Sequence, residues 1–392
     1  MADIVALSSQ RQKKRCLTNH LHKKARQLMP YDDRIHFCGS HVQNEFIKPG
    51  VILTETTNGE TCARIRGIAR CGSSWSCPTC GALKAEQRTQ TAAAIIKTLD
   101  TQRYSFVFMT FTCFHKPGMG LNDLIDRHSK AMQVFKQDKS ARNVKKAFEF
   151  QGAIIGADST WSDKNGWHWH IHELWACAKD SDDIQADIEQ FKSTLKQRWQ
   201  HACKRSGLYA SLSNGLHIKQ MFSPDHDTVG YIAKISDPVR EVSSQYTKGG
   251  RKEGHMTPFQ ILEKYANTTG KLKRRMAAVY KEYVESTKGR RQFRIDTKLK
   301  GLYEEITGEL IELDPDLVES LNAVKPEEHF IPMLGSTLNW VLMNDHYIEF
   351  LERCEADIGA AQRWAEEGER LSFLRSISGF SEANQDMIVF AA

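Results

Sequence analysis

Hydrophobic and polar residues alternate along several short stretches between residues 104 and 222, with the two-residue period that is typical of β-strands. The clearest stretch is Trp167–Trp175, in which three histidines occupy every second position and bulky apolar residues lie between them. Because strand side chains point to alternate faces, His168, His170 and His172 are predicted to share one face. Neutral imidazole is a common metal ligand, so this strand either binds a divalent ion or turns its histidines towards water.

The neighbouring stretches predict a complete sheet. They are, in order, a strand Tyr104–Thr112, a helix Gly120–Val134, a helical segment Val144–Phe150, a strand Gly152–Trp161, the histidine strand, a helix Asp182–Lys204, a strand His217–Phe222 and a helix Asp227–Ile235. This β-α-β-β-α-β-α order indicates an α+β domain, an antiparallel sheet with helices packed on one face. A short basic helix is predicted for residues 9–29.

Residues 162–166 have the composition of a turn, so the strands on either side are predicted to form a hairpin. If the turn is centred near Lys164, Asp158 lies opposite His170. Two imidazoles and one carboxylate would bind a divalent ion and leave coordination positions for a phosphate oxygen, which such an ion polarises. The alternative is that Asp158 is a surface carboxylate at the end of a strand.

Four cysteines are concentrated between residues 62 and 80. Cys77 and Cys80 have the Cys-x-x-Cys spacing with which two thiolates bind one tetrahedral zinc ion, and Cys71 and Cys62 are the predicted third and fourth ligands. A redox pair or simply buried thiols are the alternatives, but no thioredoxin-like βαβ pattern flanks the motif. The sequence therefore predicts a structural Zn²⁺ site that stabilises an arginine-rich segment.

Charge is distributed unevenly along the chain. Residues 301–392 contain 5 Lys and Arg against 19 Asp and Glu, so the first 300 residues hold 49 of the 54 basic and 29 of the 48 acidic side chains. A basic body of this size favours a nucleic-acid partner, although charges also solvate ordinary surfaces. No apolar run reaches the roughly 20 residues needed to cross a membrane, and the first residues lack a signal-peptide pattern; we expect an intracellular protein with no membrane partner.

The helix predicted at Asp227–Ile235 carries a further group of reactive side chains. Asp227, Tyr231 and Lys234 are spaced four and three residues apart and would share one helical face. Tyrosine can act as a covalent nucleophile and an aspartate as a general base. Taken alone, a tyrosine on such a helix is usually a core or surface residue.

Together these segments resemble the rolling-circle plasmid replication initiators of the HUH endonuclease superfamily, over about residues 60–295. The strand Phe106–Thr112 resembles their first sequence block, and Gly166–Leu174 resembles the second, with His170-Ile171-His172 as the pair of histidines around a bulky residue. Gly230–Lys234 resembles the third block, which contains the nucleophilic tyrosine. The cysteine segment and the Thr-Pro-Phe-Gln stretch after Met256 are also similar to this group.

The resemblance implies an HUH nuclease core that nicks one strand of a single-stranded or hairpin plasmid origin and transfers it. Tyr231 would form a 5′-phosphotyrosine, Asp227 would activate water or a second nucleophile for the closing step, and Lys234 would act near the phosphate. The implied ligands of the catalytic ion, Mg²⁺ or Mn²⁺, are His170, His172 and Asp158, with His168 as an additional one. The implied partners are origin DNA, a host helicase or another replication protein, and a second copy of the chain, in the bacterial cytoplasm.

This chain departs from the family at three positions. Asp227 stands where one branch has glutamate, Asp158 where relatives often have glutamate, and Trp169 where many have proline. Two other functions remain open: a rolling-circle transposase with the same chemistry, and a zinc-stabilised DNA-binding regulator that does not cleave.

The expected organisation has five parts. They are a basic N-terminal segment (1–50), a zinc-binding segment with a helix (51–100), an HUH catalytic domain (101–240), a basic helical extension (241–300) and an acidic helical module (301–392).

Overall fold

The structure is a computed structural model. It describes residues 2–43, 47–56, 59–114, 118–221, 255–310 and 323–378. The chain divides into two units: one comprises Met1–His20, Pro30–Gly72 and Asp316–Ala392, and the other comprises Leu21–Met29 and Ser73–Pro315. The predicted α+β class is confirmed, because antiparallel sheets are flanked by helices.

Strands and helices alternate through both units. The strands are β1 (Gly50–Glu55), β2 (Thr61–Arg66), β3 (Ser105–Thr112), β4 (Phe150–Ser162), β5 (Gly166–Cys177), β6 (Leu216–Gln220), β7 (Phe293–Ile295) and β8 (Glu328–Pro332). The helices are α1 (Ala2–Leu28), α2 (Pro78–Thr101), α3 (Leu121–Gln137), α4 (Lys139–Ala147), α5 (Ser181–Arg205), α6 (Pro258–Ala266), α7 (Gly270–Thr287), α8 (Thr297–Thr307), α9 (Gly335–Met343), α10 (Tyr347–Ala356) and α11 (Ile358–Ser378).

The sheet of the second unit has the strand order β6-β3-β5-β4-β7, and every neighbouring pair is antiparallel. The predicted strands and helices between residues 104 and 220 are present, with ends that differ by a few residues. Gly166 begins β5 at a φ of 71°, a left-handed conformation that glycine adopts without strain. The histidine strand is the central strand of the sheet, and its residues from His170 onwards lie between β3 and β4.

One face of this sheet packs against α3 and α5. Phe111 of β3 makes edge-on contacts with Phe135 of α3 and Trp199 of α5, with ring centroids 5.2 and 5.1 Å apart. These side chains alternate with the residues of the opposite face, as the two-residue period requires. Burial of aromatic rings at this density fixes the position of β3 under the two helices.

The opposite face is apolar at one end and polar at the other. At the apolar end, α2 and α8 cover the sheet with a core made of Ala92, Ile95, Ile96, Leu99, Phe106, Phe108, Ile154, Leu174, Ala176, Met221, Phe293, Ile295, Leu299 and Tyr303. Helices therefore lie on both faces of this sheet, and the prediction that they pack on one face is wrong. The even-numbered residues of β5 continue the face covered by α2 and α8. Three of them, at the polar end, are His168, His170 and His172. The polar end of the face therefore carries the candidate site residues of β5.

In the other unit, a sheet of order β2-β1-β8 packs with α9, α10 and α11. Its core contains Val42, Val51, Ala63, Ile65, Ile68, Leu338, Val341, Leu342, Phe350, Leu351, Cys354, Ala361 and Ala365. Strands β1, β2 and β8 are not predicted by the sequence pattern. The partner of β1 on one side is β8, which comes from the distant acidic segment of the chain.

Candidate functional site

Strands β4 and β5 form the predicted hairpin, and Asp158 is paired with His170 in the register of the two strands. Residues directly opposite in an antiparallel pair share a face. The Asp158 carboxylate therefore lies on the same face as the three imidazoles. Asp158 is 5% exposed, so this is a buried carboxylate and the surface alternative for it is excluded.

His172 is the most deeply buried of the three histidines, with 2% exposure. Its Nε2 atom lies 3.5 Å from Oδ2 of Asp158, and its Nδ1 atom is 3.0 Å from the hydroxyl of Thr110. The ring of Phe108 stacks on the imidazole at 5.7 Å. A contact at Nδ1 orients the ring so that Nε2 faces the carboxylate, the arrangement by which an outer hydrogen bond fixes a metal-ligating imidazole.

His168 and His170 continue the row of imidazoles. Their rings stack with centroids 4.2 Å apart, and the rings of His170 and His172 are 5.9 Å apart. Nε2 of His168 lies 2.6 Å from the hydroxyl of Thr112. His168 and His172 thus both contact hydroxyl groups of the neighbouring strand β3, and His172 also faces Asp158 of β4.

Strand β6 adds two residues to this face that the sequence reasoning missed. His217 is paired with Thr110 and Lys219 with Phe108, so both side chains share the face of His172. The Lys219 ammonium lies 5.3 Å from the centre of the Phe108 ring. Burial lowers the pKa of His217, and the positive charge of Lys196 lowers it further. The alternation in Leu-His-Ile-Lys-Gln, which repeats that of β5, was the available signal.

On the opposite face, Glu173 anchors the histidine strand. Its carboxylate is 1% exposed, lies 2.6 Å from the ammonium of Lys136 on α3, and accepts a hydrogen bond of 2.8 Å from the indole N–H of Trp175. Burial alone would raise the pKa of Glu173, but the charge and hydrogen bond of Lys136 and the bond from Trp175 hold it below its usual value. The ion pair thus holds β5 against α3, and the imidazoles lie on the other face of the strand.

A second candidate site contains only sulfur. The ligand atoms of Cys38, Cys71, Cys77 and Cys80 lie within 4.8 Å of one another, and all four residues are buried. In a tetrahedral thiolate site with Zn–S bonds of about 2.3 Å, neighbouring sulfurs are about 3.8 Å apart, so the group can bind zinc. Among the residues that the structure describes, this is the only set of three or more His, Cys, Asp or Glu ligand atoms drawn so close together.

The fourth ligand in this group is Cys38, and the prediction of Cys62 is wrong. Cys62 lies within β2, where it pairs with Thr54, and strand geometry holds it away from the group. Cys38 approaches because its loop runs antiparallel to the one before Cys71: the Gly39 amide donates to Ala69 O at 2.8 Å.

The sequence signal for Cys38 was a Cys-Gly dipeptide. Gly39 and Gly72 follow Cys38 and Cys71 with φ values of 73° and 68°, which lets each loop turn directly after the sulfur. Cys62 is followed by alanine instead. Between Cys77 and Cys80, the Cys77 sulfur accepts the Cys80 amide at the start of α2, 3.4 Å away.

Asp227, Tyr231 and Lys234 lie outside the described residues, and so does the helix predicted for them. Their roles stay predictions. The same holds for the roles of His168, His170, His172 and Asp158, although the structure brings these four residues onto one face.

A comparison with known proteins finds a relative. The chain is 24% identical over 303 residues to a protein named "Protein rep" from Streptomyces lividans, and the match covers 62% of this chain and 65% of that protein. The chain thus matches slightly less than two thirds of the relative's length. No family model matches the chain, and no solved structure matches it.

None of the helices in the described ranges has both the length and the apolar character needed to cross a membrane.

Proposed function

We propose that this chain is a plasmid replication initiator that nicks and transfers one strand of origin DNA in rolling-circle replication. The observation that carries the proposal is the set of His170, His172 and Asp158 on one polar face, with a nitrogen-to-oxygen distance of 3.5 Å between the last two. Similarity to a protein named "Protein rep" supports the same role. The excess of basic residues before position 301 supports a DNA partner.

The donor types of these residues, imidazole nitrogen and carboxylate oxygen, are ones that bind divalent ions in proteins, but in the described part of the chain only the cysteine group has its ligand atoms within 4.8 Å of one another. Imidazole nitrogen and carboxylate oxygen are ligands of Mn²⁺ and, through the carboxylate, of Mg²⁺. When bound by His170, His172 and Asp158, with His168 as an additional ligand, such an ion supplies polarisation of the scissile phosphodiester. The protein's own contribution is to hold these side chains in place: Thr110 and Phe108 fix the His172 ring.

The covalent step belongs to Tyr231. Its oxygen attacks phosphorus, an O–P bond forms to tyrosine, and the bond from phosphorus to the 3′-oxygen breaks. The tyrosine proton passes to a base, and the released 3′-oxygen takes up a proton to become the primer hydroxyl. Asp227 then accepts a proton from water or from a second nucleophile that cleaves the phosphotyrosine, while the ammonium of Lys234 offsets phosphate charge.

The test uses supercoiled plasmid that carries the DNA flanking the gene. Wild-type protein with Mn²⁺ or Mg²⁺ is expected to convert it to the nicked form, to lose this activity with a chelator, and to leave a protein–DNA adduct on a denaturing gel. Tyr231→Phe should abolish the adduct, and Asp158→Asn and His172→Ala should abolish nicking. Tyr31→Phe is the matched control, because Tyr31 is 92% exposed and far along the chain from the site.

An adduct that persists in Tyr231→Phe contradicts the assignment of the nucleophile. Specific binding of the plasmid with no nicking under any metal supports the alternative, a zinc-stabilised DNA-binding regulator, which the buried cysteine group and the basic charge also fit.

A further inference from the structure

Two large aromatic side chains lie exposed just beyond the polar end of the histidine face. Phe114 is 55% exposed and Tyr209 is 58% exposed. Their rings are 5.8 Å apart at an angle of 33°. Most other aromatic side chains near the sheet are buried, and exposed rings at this size carry a free-energy cost in water unless a partner covers them.

The backbone holds this pair in a fixed place. The Phe114 amide donates to Tyr209 O at 2.7 Å, and the Thr112 amide donates to Gly215 O at 2.9 Å. Buried Trp199 donates its indole N–H to Thr112 O, 2.9 Å away. Gln200 donates to Ala210 O at 3.0 Å. The rings are therefore presented by anchored backbone and need little ordering when a ligand binds.

The position of the pair relates it to the candidate metal site. Thr112 is paired with His170, and its hydroxyl contacts His168. Phe114 follows Thr112 by two residues, which is about 7 Å along an extended chain. Side chains two residues apart in an extended chain point to the same side, so we expect the Phe114 ring to continue the face on which the imidazoles lie.

The surroundings favour a polyanion. Lys204 and Arg205 occupy the last turn of α5, five and four residues before Tyr209, and both are exposed. Exposed aromatic rings combined with exposed cations close by in the chain suit single-stranded nucleic acid, because the rings stack on bases and the cations contact phosphates.

We propose that Phe114 and Tyr209 form a base-stacking platform for the single-stranded DNA that enters the histidine face. The proposal deepens the proposed function and rests on it for the identity of the ligand. A base inserted between two rings needs a ring separation of about 6.8 Å, twice the stacking distance of bases. The 5.8 Å separation is smaller, so the base stacks on the outer surface of the pair, not between the rings.

The first experiment measures binding of a fluorescein-labelled oligothymidylate of about 16 nucleotides, a length within the range that such sites cover. Phe114→Leu and Tyr209→Leu should each weaken binding about 5- to 150-fold, the range for loss of one stacked base. Tyr209→Phe should bind within about 2-fold of wild type because the ring remains. Phe373→Leu, which removes a 62% exposed ring from α11, is the matched control and should bind like wild type.

Salt dependence separates stacking from charge contacts. The slope of log affinity against log salt concentration should be unchanged in Phe114→Leu and Tyr209→Leu, because stacking releases no counterions. The double variant Lys204→Ala/Arg205→Ala should reduce the slope by up to about 1.4, which is 0.7 for each phosphate contact on a single strand.

A third measurement uses only the wild-type protein and does not depend on the folding of variants. Abasic residues are placed at each position of the oligonucleotide in turn, and one position should show the same 5- to 150-fold loss. Photocrosslinking of an oligonucleotide with 5-iodouracil at that position should label Phe114 or Tyr209. Equal affinity of all abasic oligonucleotides, crosslinks at other residues only, or an equal loss in Phe373→Leu would each overturn the platform.

Failure of the platform and failure of the proposed function give different results. Wild-type protein that nicks plasmid while both leucine variants bind oligothymidylate normally overturns the platform alone. Wild-type protein that loses single-strand binding in both leucine variants but forms no nick and no adduct overturns the nickase and leaves a single-strand-binding surface.

Discussion

Glu173→Gln tests whether the ion pair on the back of β5 stabilises the sheet. In the folded protein, Oε1 of Glu173 lies 2.6 Å from the Lys136 ammonium and Oε2 accepts the Trp175 indole hydrogen bond. Glutamine has nearly the same shape and can still accept from Trp175. It removes the negative charge and leaves the ammonium facing a neutral amide.

The expected cost is about 2–3 kcal/mol in the free energy of unfolding. Breaking a fully buried ion pair costs about 3–5 kcal/mol, and losing a hydrogen bond to a charged group costs about 1.5–3 kcal/mol. The expected cost is below the range for a fully buried ion pair because the Lys136 side chain is 30% exposed and can turn towards water. Lys136→Met combined with Glu173→Gln should cost less than the two single changes together, since no buried charge is left unpaired.

Urea unfolding followed by tryptophan fluorescence measures this cost. Arg127→Gln is a suitable control on the same helix, because the Arg127–Asp123 pair is 42% and 50% exposed and should contribute less than about 1 kcal/mol. The pKa of Glu173 is lowered on folding, so its contribution is complete above its usual value of 4.5 and is lost as the pH falls through the folded value. A cost no larger than that of the control, or one that does not shrink in acid, would refute the role assigned to this pair.

Three further predictions concern the cysteine group, a buried histidine and a glycine. Cys38→Ser should lose bound zinc whereas Cys62→Ser keeps it, as measured by elemental analysis of the purified chain; equal zinc content in both would contradict the ligand set. Burial lowers the pKa of His128 from 6.5 to about 4, so stability should fall by up to about 3 kcal/mol as the pH drops from 6.5 to 4, and His128→Gln should remove that dependence in urea unfolding. Gly152→Ala should lower the free energy of unfolding by about 2–4 kcal/mol, because the φ of residue 152 is 149° and a Cβ would lie 2.6 Å from Leu299 Cβ. Gly301→Ala is the control: no atom lies within 4 Å of the added carbon, so this change should be neutral or slightly stabilising.

The sequence predicted the hairpin of the candidate site because the necessary information is local. Alternation along two strands and the short turn between them determine which residues face each other, and Asp158 is found opposite His170. Hydrophobic periodicity likewise predicted α3 and α5, whose buried residues recur at helical spacing. The depth of burial of Asp158 was not predictable in this way, since it depends on how the sheet is covered.

What the sequence pattern missed depends on distant parts of the chain. Cys38 was not chosen because it lies 33 positions before Cys71, outside the dense cluster, and only the pairing of its loop with the Ala69 loop brings the sulfurs together. The partners of β1 are another example: β8 is a short half-buried strand, and its sequence alone gives no indication of its neighbour. His217 and Lys219 were overlooked for a similar reason, since their relation to His172 passes through β3.

Because β5 is the central strand of its sheet, it should tolerate substitutions better than insertions or deletions. Single substitutions on this strand change one contact at a time. Deletion or insertion of one codon within it would turn every following side chain to the other side, so that imidazoles would enter the aromatic core and tryptophans would take their place on the polar face. Codons can be added more safely at Asp163–Asn165, where the three residues of the turn are exposed. A survey of in-frame insertions along this hairpin should therefore recover active clones at the turn and none within the strand.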